Sequence, residues 1–193
     1  MDEVVVPSRA EQGPLFQQMM SQYGGPAFLR RAQQVQGALA HLREGLAKAR
    51  RDALEMVRLR LGIVAARAGN WTALSDLVDA PTLAYLQALE AELQPQLRTA
   101  HPPTTRPAVL HAALVELNDS IARFNRRWEE VLARTDLTEV NRLRDAYNRY
   151  YLLEKECAVG SPRIARQGFV PLAPITRGEL QADFPPLPML VVR

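Results

Sequence analysis

One stretch decides the fold: PAVLHAALVELNDSIARFNRRWEEV, residues 107–131. Its large apolar residues recur in steps of four and three, at Leu110, Leu114, Leu117, Ile121, Phe124, Trp128 and Val131. An α-helix turns once in 3.6 residues, so this spacing places all of them on one side. Pro107 stands where proline is tolerated, in the first turn of a helix. The stretch therefore predicts a long helix with one continuous apolar stripe, which we call a seam.

A second seam precedes it over residues 26–68. Its members are Phe28, Ala32, Val35, Leu39, Leu42, Leu46, Ala49, Ala53, Val57, Leu61 and Val64. The steps again alternate between three and four, with an extra four near Ala53, a stutter that locally unwinds a supercoil. Gly69 suits the left-handed position that ends many helices. We predict one uninterrupted helix over 26–68.

Weaker patterns predict the remaining helices. Residues 8–23 indicate a short helix, residues 82–99 a middle helix, and residues 107–158 a long one. The last of these should break or kink near Asp136, because Asp136-Leu137-Thr138-Glu139 has the residue types that cap a helix start.

The chain changes character after Gly160. Bulky apolar residues alternate there with prolines, namely Pro162, Pro171, Pro174, Pro185, Pro186 and Pro188. Proline denies such a segment a regular hydrogen-bonded ladder, so we expect an extended tail lying along a helical body or a partner. The sequence leaves open whether the tail binds its own chain or another. No internal repeat is apparent.

The predicted fold class is all-α. We expect an elongated antiparallel helical bundle of coiled-coil-like long helices, with an extended Pro-rich C-terminal tail. The domains are a segment with a short helix at 1–25, a helical bundle at 26–159 and the tail at 160–193. Aromatic residues make up only 6% of the chain, which favours helices built on Leu and Ala over a sheet.

The sequence offers little for catalysis or metal binding. His41, His101 and His111 lie far apart, and no two of them have the spacing of zinc ligands on one helix. Cys157 has no neighbouring histidine, and neither a Gly-x-Ser-x-Gly turn nor a phosphate-binding glycine loop occurs. We therefore predict no enzyme activity, no cofactor and no metal.

The cellular location is predicted from two features. Cys157 is the only cysteine, so no intrachain disulfide forms and a reducing compartment is favoured. No apolar stretch approaches the roughly 20 residues that cross a bilayer. We expect a cytoplasmic protein without membrane contact.

Nucleic-acid binding is the alternative function. Residues 26–68 contain nine basic and three acidic residues, and Arg43, Arg50, Arg51 and Arg58 are the candidate phosphate contacts. On a helix, however, these charges surround the axis, whereas a surface that follows a phosphate backbone gathers them into one stripe. Solvated faces and ion pairs between helices are the favoured interpretation.

Two pairs of asparagines flank the apolar seams. Asn118 and Asn125 are seven residues apart, as are Asn141 and Asn148, and each directly follows a seam residue. Ordinary surface polarity is the favoured interpretation; the alternative is that these side chains reach a neighbouring helix and set its register, as side chains at this flank do.

The leading prediction is a non-enzymatic interaction protein: a scaffold, adaptor or assembly subunit. The two long seams exceed what a short middle helix covers, and long exposed apolar stripes are unfavourable in a monomer. We therefore expect a protein partner or a homo-oligomer. The candidate partner-binding residues are Leu117, Phe124, Trp128, Tyr147, Arg149, Tyr150, Tyr151, Phe169 and Phe184.

Overall fold

The structure, a computed structural model, describes residues 25–93, 101–157 and 170–193. This part of the chain is all-helical and contains no β-strand. The helices are α1 (Gly25–Ala53), α2 (Glu55–Ala68), a 3-10 turn (Trp71–Leu74), α3 (Ala80–Leu93), α4 (Pro107–Arg134), α5 (Thr138–Cys157) and α6 (Arg177–Asp183). The expected helix over 8–23 lies outside the described residues.

The chain divides into two compact units. The first unit is Met1–Gly45 with Asp136–Glu179, so far as these residues are described, and the second is Leu46–Thr135 with Leu180–Arg193. Each unit therefore combines helices with a piece of the C-terminal region.

The prediction of one uninterrupted helix over 26–68 is wrong, because a single residue interrupts it. Leu54 separates α1 from α2, although helical hydrogen bonding continues across it. The Leu54 N–H donates to the Arg50 carbonyl at 3.0 Å, and the Arg58 N–H donates to the Leu54 carbonyl at 2.9 Å. The irregularity adjoins Ala53, where the extra four-residue step of the seam falls, and Leu54 itself becomes buried.

The core of the second unit forms where α2 packs against α4. Both seams supply it, since Val57, Leu61, Leu114, Leu117 and Ile121 are all fully buried. Apolar side chains removed from water at this interface are the main stabilising contribution that the unit has.

The far end of the α4 seam differs from the prediction. Val131 is 36% exposed, and its neighbour Leu132 is buried in its place. A strict seven-residue repeat drifts by about 20° per heptad on a straight helix. Three heptads after Leu110, the next residue along the chain has therefore rotated into the buried position.

The helices α2 and α4 run in opposite directions within the second unit. The Thr104 N–H donates to the Arg67 carbonyl at 2.8 Å. About two turns earlier in α2, Arg60 pairs with Glu116 of α4 at 2.6 Å. As numbers fall along α2 they rise along α4, which defines an antiparallel pair.

The ends of the helices follow the expected chemistry. Gly69 closes α2 at φ 69°, and its N–H donates to Ala65. Asp79 caps α3, because its Oδ1 accepts the Thr82 N–H at 2.9 Å. Hydrogen bonds from the Thr82 side chain and from its main chain lower the pKa of Asp79 below its ordinary value.

The first unit has a smaller core around Ala32, Val35 and Tyr147, with Leu143 and Leu172 packed against it. The break expected near Asp136 is confirmed, since α4 ends at Arg134 and α5 begins at Thr138. The Asp136 carboxylate accepts the Thr138 N–H at 2.9 Å.

Candidate functional site

The side chain of Asn125 binds the main chain of one residue twice. Its Nδ2 donates to the Leu187 carbonyl at 2.8 Å, and its Oδ1 accepts the Leu187 N–H at 2.8 Å. A planar amide thus satisfies both polar main-chain groups of Leu187, as a neighbouring β-strand otherwise does. Leu187 belongs to residues 184–193, which we call the distal segment.

Asn118 repeats this arrangement with Leu190. Its Nδ2 lies 3.3 Å from the Leu190 carbonyl, and the Leu190 N–H donates to its Oδ1 at 2.8 Å. Seven residues of helix advance about 10.5 Å. Three residues of extended chain advance about 10 Å. The heptad spacing of the asparagines therefore matches a three-residue step in a segment that runs opposite to α4.

Further donors hold the beginning of the distal segment. The Trp128 indole Nε1 donates to the Phe184 carbonyl at 2.9 Å, and Arg50 donates to the Pro185 carbonyl at 3.1 Å. The ring of Phe184 meets Trp128 edge-on, with centroids 6.1 Å apart. Asn118, Asn125 and Trp128 are called the second-unit clamp.

In the distal segment two side chains, three residues apart, are buried, and the residues between them are exposed. Leu187 and Leu190 are buried, whereas Pro188 lies exposed and Met189 is 48% exposed. The hydrogen bonds of the clamp go to the main chain, whereas the side chains that the segment buries are chiefly the two leucines, with Phe184 half-buried against Trp128.

The first unit contains the same device. The Asn148 amide pairs with both main-chain groups of Leu172 at 2.7 and 2.8 Å. Asn141 pairs with both groups of Ile175 at 3.2 and 2.7 Å. The Tyr147 hydroxyl donates to the Val170 carbonyl at 3.0 Å. We call Asn141, Tyr147 and Asn148 the first-unit clamp, and residues 170–176 the proximal segment.

Burial raises the pKa of Tyr147, and the neighbouring Tyr151 raises it further. The hydroxyl therefore keeps its proton throughout the neutral range and remains a donor to the proximal segment. Arg144 adds a hydrogen bond to the Ala173 carbonyl.

The paired segments reveal a short internal repeat in the sequence. The stretch FVPLAPI at 169–175 aligns with FPPLPML at 184–190, sharing Phe, Pro-Leu and a final Ile or Leu. On the helices, VNRLRDAYN at 140–148 aligns with LNDSIARFN at 117–125 through the two asparagines and the aromatic residue before the second. The expectation that the chain has no repeat is therefore wrong. Aligning the asparagine pairs with the Pro-Leu pairs would have found it.

Both interpretations of the asparagines need correction, because their amides bind main-chain groups and do not simply face solvent. They lie at the flank of each seam, as predicted, but the groups they reach belong to extended segments and not to a neighbouring helix. The seven-residue spacing alone does not distinguish these partners, because a helix and an extended chain both offer contacts at about 10 Å intervals.

The structure places the predicted partner-binding residues in different environments. Leu117, Phe124, Trp128 and Tyr147 are buried, and of these Trp128 and Tyr147 donate hydrogen bonds to the segments. Phe184 and Tyr151 are half-buried and Arg149 is exposed; the side chain of Tyr150 and all of Phe169 lie outside the described residues.

Several arginines of α1 and α2 contact carboxylates of the same chain. Arg50 pairs with Glu92 at 3.4 Å, and Arg58 with Glu55 at 3.3 Å. Arg50 also lies 5.6 Å from the centre of the Phe124 ring. Arg43 and Arg51 are exposed. Part of the positive charge of α1 and α2 is therefore balanced by carboxylates of the same chain.

One open cleft of about 310 Å³ lies in the first unit. Its lining includes Arg31, Arg142, Asp145 and Arg149. Arg142 is already paired with Glu139 at 2.8 Å. Within residues 25–93, 101–157 and 170–193, no group of three His, Cys, Asp or Glu side chains is arranged to hold a metal ion. None of the helices described there has the length and apolar character needed to cross a bilayer.

Comparison with known proteins gives no relative: no family model, curated protein or solved structure is significantly similar to this chain.

Proposed function

We propose that this chain is a non-enzymatic interaction protein, a scaffold or adaptor that holds extended Pro-Leu segments against its helices. The observation that carries the proposal is the set of asparagines that each bind both main-chain groups of one segment residue. A surface that reads the main chain at regular intervals is a recognition surface for an extended peptide.

The strength of such a surface comes from few groups. Each clamp contributes four asparagine hydrogen bonds, and each bond is worth about 0.5–1.5 kcal/mol net. Burial of an apolar anchor such as Leu187 or Leu190 adds about 1.5–3 kcal/mol. Neutral hydrogen bonds and apolar anchors depend weakly on salt, so we expect affinities that persist at high ionic strength.

The finer architecture belongs to the same proposal. We envisage an elongated antiparallel bundle with coiled-coil-like seams, in which the Pro-rich tail fills the clamps. We also assign the protein to the cytoplasm, because the single cysteine, Cys157, excludes an intrachain disulfide.

Nucleic-acid binding has weaker support. Arg50 and Arg58, two of its four candidate residues, contact Glu92 and Glu55 of the same chain. These carboxylates compete with phosphate for the guanidinium groups. Binding through Arg43 and Arg51 would weaken steeply with salt, the opposite of the salt response expected for the clamps.

The proposal is tested with the full chain carrying Leu187→Ser and Leu190→Ser, which removes both anchors of its own distal segment. A fluorescein-labelled peptide of residues 184–193 should then bind, as measured by fluorescence anisotropy. The unaltered chain should bind the same peptide more weakly, because its own segment competes at an effective concentration of about 1 mM.

Two controls assign the binding to the clamp. Adding Asn118→Ala and Asn125→Ala to the Leu187→Ser/Leu190→Ser chain should abolish peptide binding, whereas adding Arg126→Ala, at an exposed position of α4, should not. Circular dichroism checks that each variant is helical. Equal peptide binding with and without the asparagines, or no binding to a folded Leu187→Ser/Leu190→Ser chain, would overturn the proposal.

A further inference from the structure

We propose that, as the protein concentration approaches about 1 mM, two copies of this chain exchange their distal segments, so that residues 184–193 of each copy occupy the second-unit clamp of the other. This inference rests on the proposed function, because it uses the same clamp, and it names the partner as a second copy.

The first support is the kind of contact that holds the distal segment. Asn118, Asn125 and Trp128 bind main-chain groups of Leu190, Leu187 and Phe184. None of these contacts depends on how the segment is connected to the clamp. The distal segment of a second copy therefore makes the same hydrogen bonds and buries the same leucines, which is the condition for exchange of an element between protomers.

The second support is the repeat. The chain carries two segments with the pattern Phe-x-Pro-Leu-x-x-(Ile/Leu), at 169–175 and 184–190, and two clamps with asparagines seven residues apart. Ligand and receptor are thus both encoded in every copy. A second copy is the occupant for which this sequence supplies matched partners on both sides.

The third support is the connection that precedes the distal segment. It is α6, a helix of seven residues, in which Leu180 is buried. An isolated helix this short is unstable in water because nucleation is unfavourable. Once Leu180 leaves its site, the same seven residues reach about 23 Å when extended, more than twice their length as a helix.

The beginning of α6 gives it a defined folded form. The Thr176 N–H donates to the Glu179 carboxylate at 2.8 Å, and the Glu179 N–H donates to the Thr176 hydroxyl at 3.3 Å. This reciprocal cap stabilises the short helix. The connection therefore has a helical and an extended form separated by few contacts, as a hinge for exchange requires.

Concentration decides between the two arrangements. The chain's own segment is present at an effective concentration of about 1 mM. In dilute protein the intramolecular arrangement therefore wins, and the exchanged dimer gains only as the protein concentration approaches that value. A test needs variants that block the intramolecular arrangement and leave the exchanged one available.

Two full-length variants meet that need. The clamp variant carries Asn118→Ala and Asn125→Ala and keeps an intact distal segment. The segment variant carries Leu187→Ser and Leu190→Ser and keeps an intact clamp. Neither pairs with itself, but the segment of the first fits the clamp of the second.

The experiment is size-exclusion chromatography with light scattering on each variant and on their equimolar mixture. We expect monomers for each variant alone and a 1:1 complex for the mixture. A third variant carrying all four substitutions should form no complex with the clamp variant, because neither then has a clamp that is intact. Free peptide of residues 184–193 should dissolve the 1:1 complex.

The outcomes separate the two proposals. If the segment variant binds the free peptide but forms no complex with the clamp variant, the exchange is overturned and the proposed function stands. If it binds neither, the proposed function is overturned as well.

A second measurement covers variants that do not fold. The molar mass of the unaltered full-length chain is measured by sedimentation equilibrium up to about 1 mM protein, where exchange competes with the intramolecular arrangement. We expect a dimer fraction that excess peptide of residues 184–193 lowers. A chain that stays monomeric, or a dimer fraction that the peptide leaves unchanged, would overturn the exchange.

Discussion

An asparagine side chain has one carbonyl and one NH₂ group on a rigid plane, the same complement of acceptor and donor that a residue's main chain offers. At the flank of a seam the amide is held near the helix surface with its polar edge outward. Asn125 there satisfies the N–H and carbonyl of Leu187 together. Glutamine has the same groups on a longer, more flexible chain, so asparagine loses less conformational entropy when it forms the pair.

Asn125→Ala should lower the free energy of unfolding by about 1–3 kcal/mol, since it leaves both main-chain groups of Leu187 without their partner. Urea unfolding followed by circular dichroism measures the change. The matched control is Arg126→Ala, at the next position and exposed to solvent, which should change stability by less than about 0.5 kcal/mol. Equal effects of the two substitutions would contradict this role of the amide.

Tyr85 differs from Asn125 because its polar group has no hydrogen-bond partner within the described residues. Its hydroxyl is buried and makes no hydrogen bond within the described part of the chain. Burial and the nearby Glu92 raise the pKa of Tyr85 to about 12, while Arg50 lowers it. A buried hydroxyl without a partner costs about 1–3 kcal/mol.

Tyr85→Phe should therefore raise the free energy of unfolding by about 1 kcal/mol at pH 7. The folded pKa of Tyr85 lies above the ordinary value of 10, so the neutral form is favoured by folding. This contribution is complete below pH 10 and is lost as the pH rises from 10 to about 12. The stability advantage of Tyr85→Phe should consequently widen between pH 7 and pH 11 in urea unfolding, and an advantage that shrinks would exclude this explanation.

At the scale of the element, the ends of helices decide how the seams meet. Gly69 adopts φ 69°, and a Cβ built there would lie 3.2 Å from the Cβ of Pro103. Glycine both allows the left-handed turn that ends α2 and permits the chain before α4 to approach it. The Thr104 N–H donating to Arg67 fixes that approach, and the antiparallel packing of α2 and α4 follows.

Gly69→Ala should lower the free energy of unfolding by about 1–2 kcal/mol, the cost of a Cβ in left-handed backbone. The control is Gly37→Ala, in the middle of α1, where an added Cβ meets no described atom within 4 Å. That substitution should instead raise stability by about 0.5–1 kcal/mol, because alanine favours helix. Differential scanning calorimetry of both variants checks the signs, and a loss of stability at Gly37 would disprove the assigned difference.

At the scale of the whole molecule, one device occurs in both units. In each, a helix with asparagines seven residues apart holds an extended segment at residues three apart. The segments are not helical; apart from a β-bridge between Val192 and Val78, the contacts described above attach them to helices. Residues distant in sequence are thus joined through side-chain amides.

Hydrogen exchange should show the two clamps acting separately. The amides of Ile175, Leu187 and Leu190 should be protected although their segments are not helical. Asn141→Ala should lower the protection of Ile175 by about tenfold or more, corresponding to roughly 1.4 kcal/mol, and leave Leu187 and Leu190 protected. Mass spectrometry or NMR measures each amide, and uniform loss of protection would indicate one shared unfolding event instead.

Short stretches of the sequence by themselves determine several of the helices and helix ends of this protein. The alternation of three and four along residues 107–131 predicts α4 because periodicity is a property of the helix alone. The break near Asp136 follows from capping chemistry within a few residues. The stutter near Ala53 likewise marks the position of Leu54, although the interruption itself was not predicted.

The partners of the asparagines were decided only by tertiary structure. Asn118 and Leu190 are 72 residues apart in sequence, and no local pattern specifies which chain occupies the flank of a seam. Local spacing is governed by a few dihedral angles, whereas long-range pairing depends on which arrangement buries Leu187 and Leu190 while satisfying their main-chain groups. That choice is a property of the folded whole.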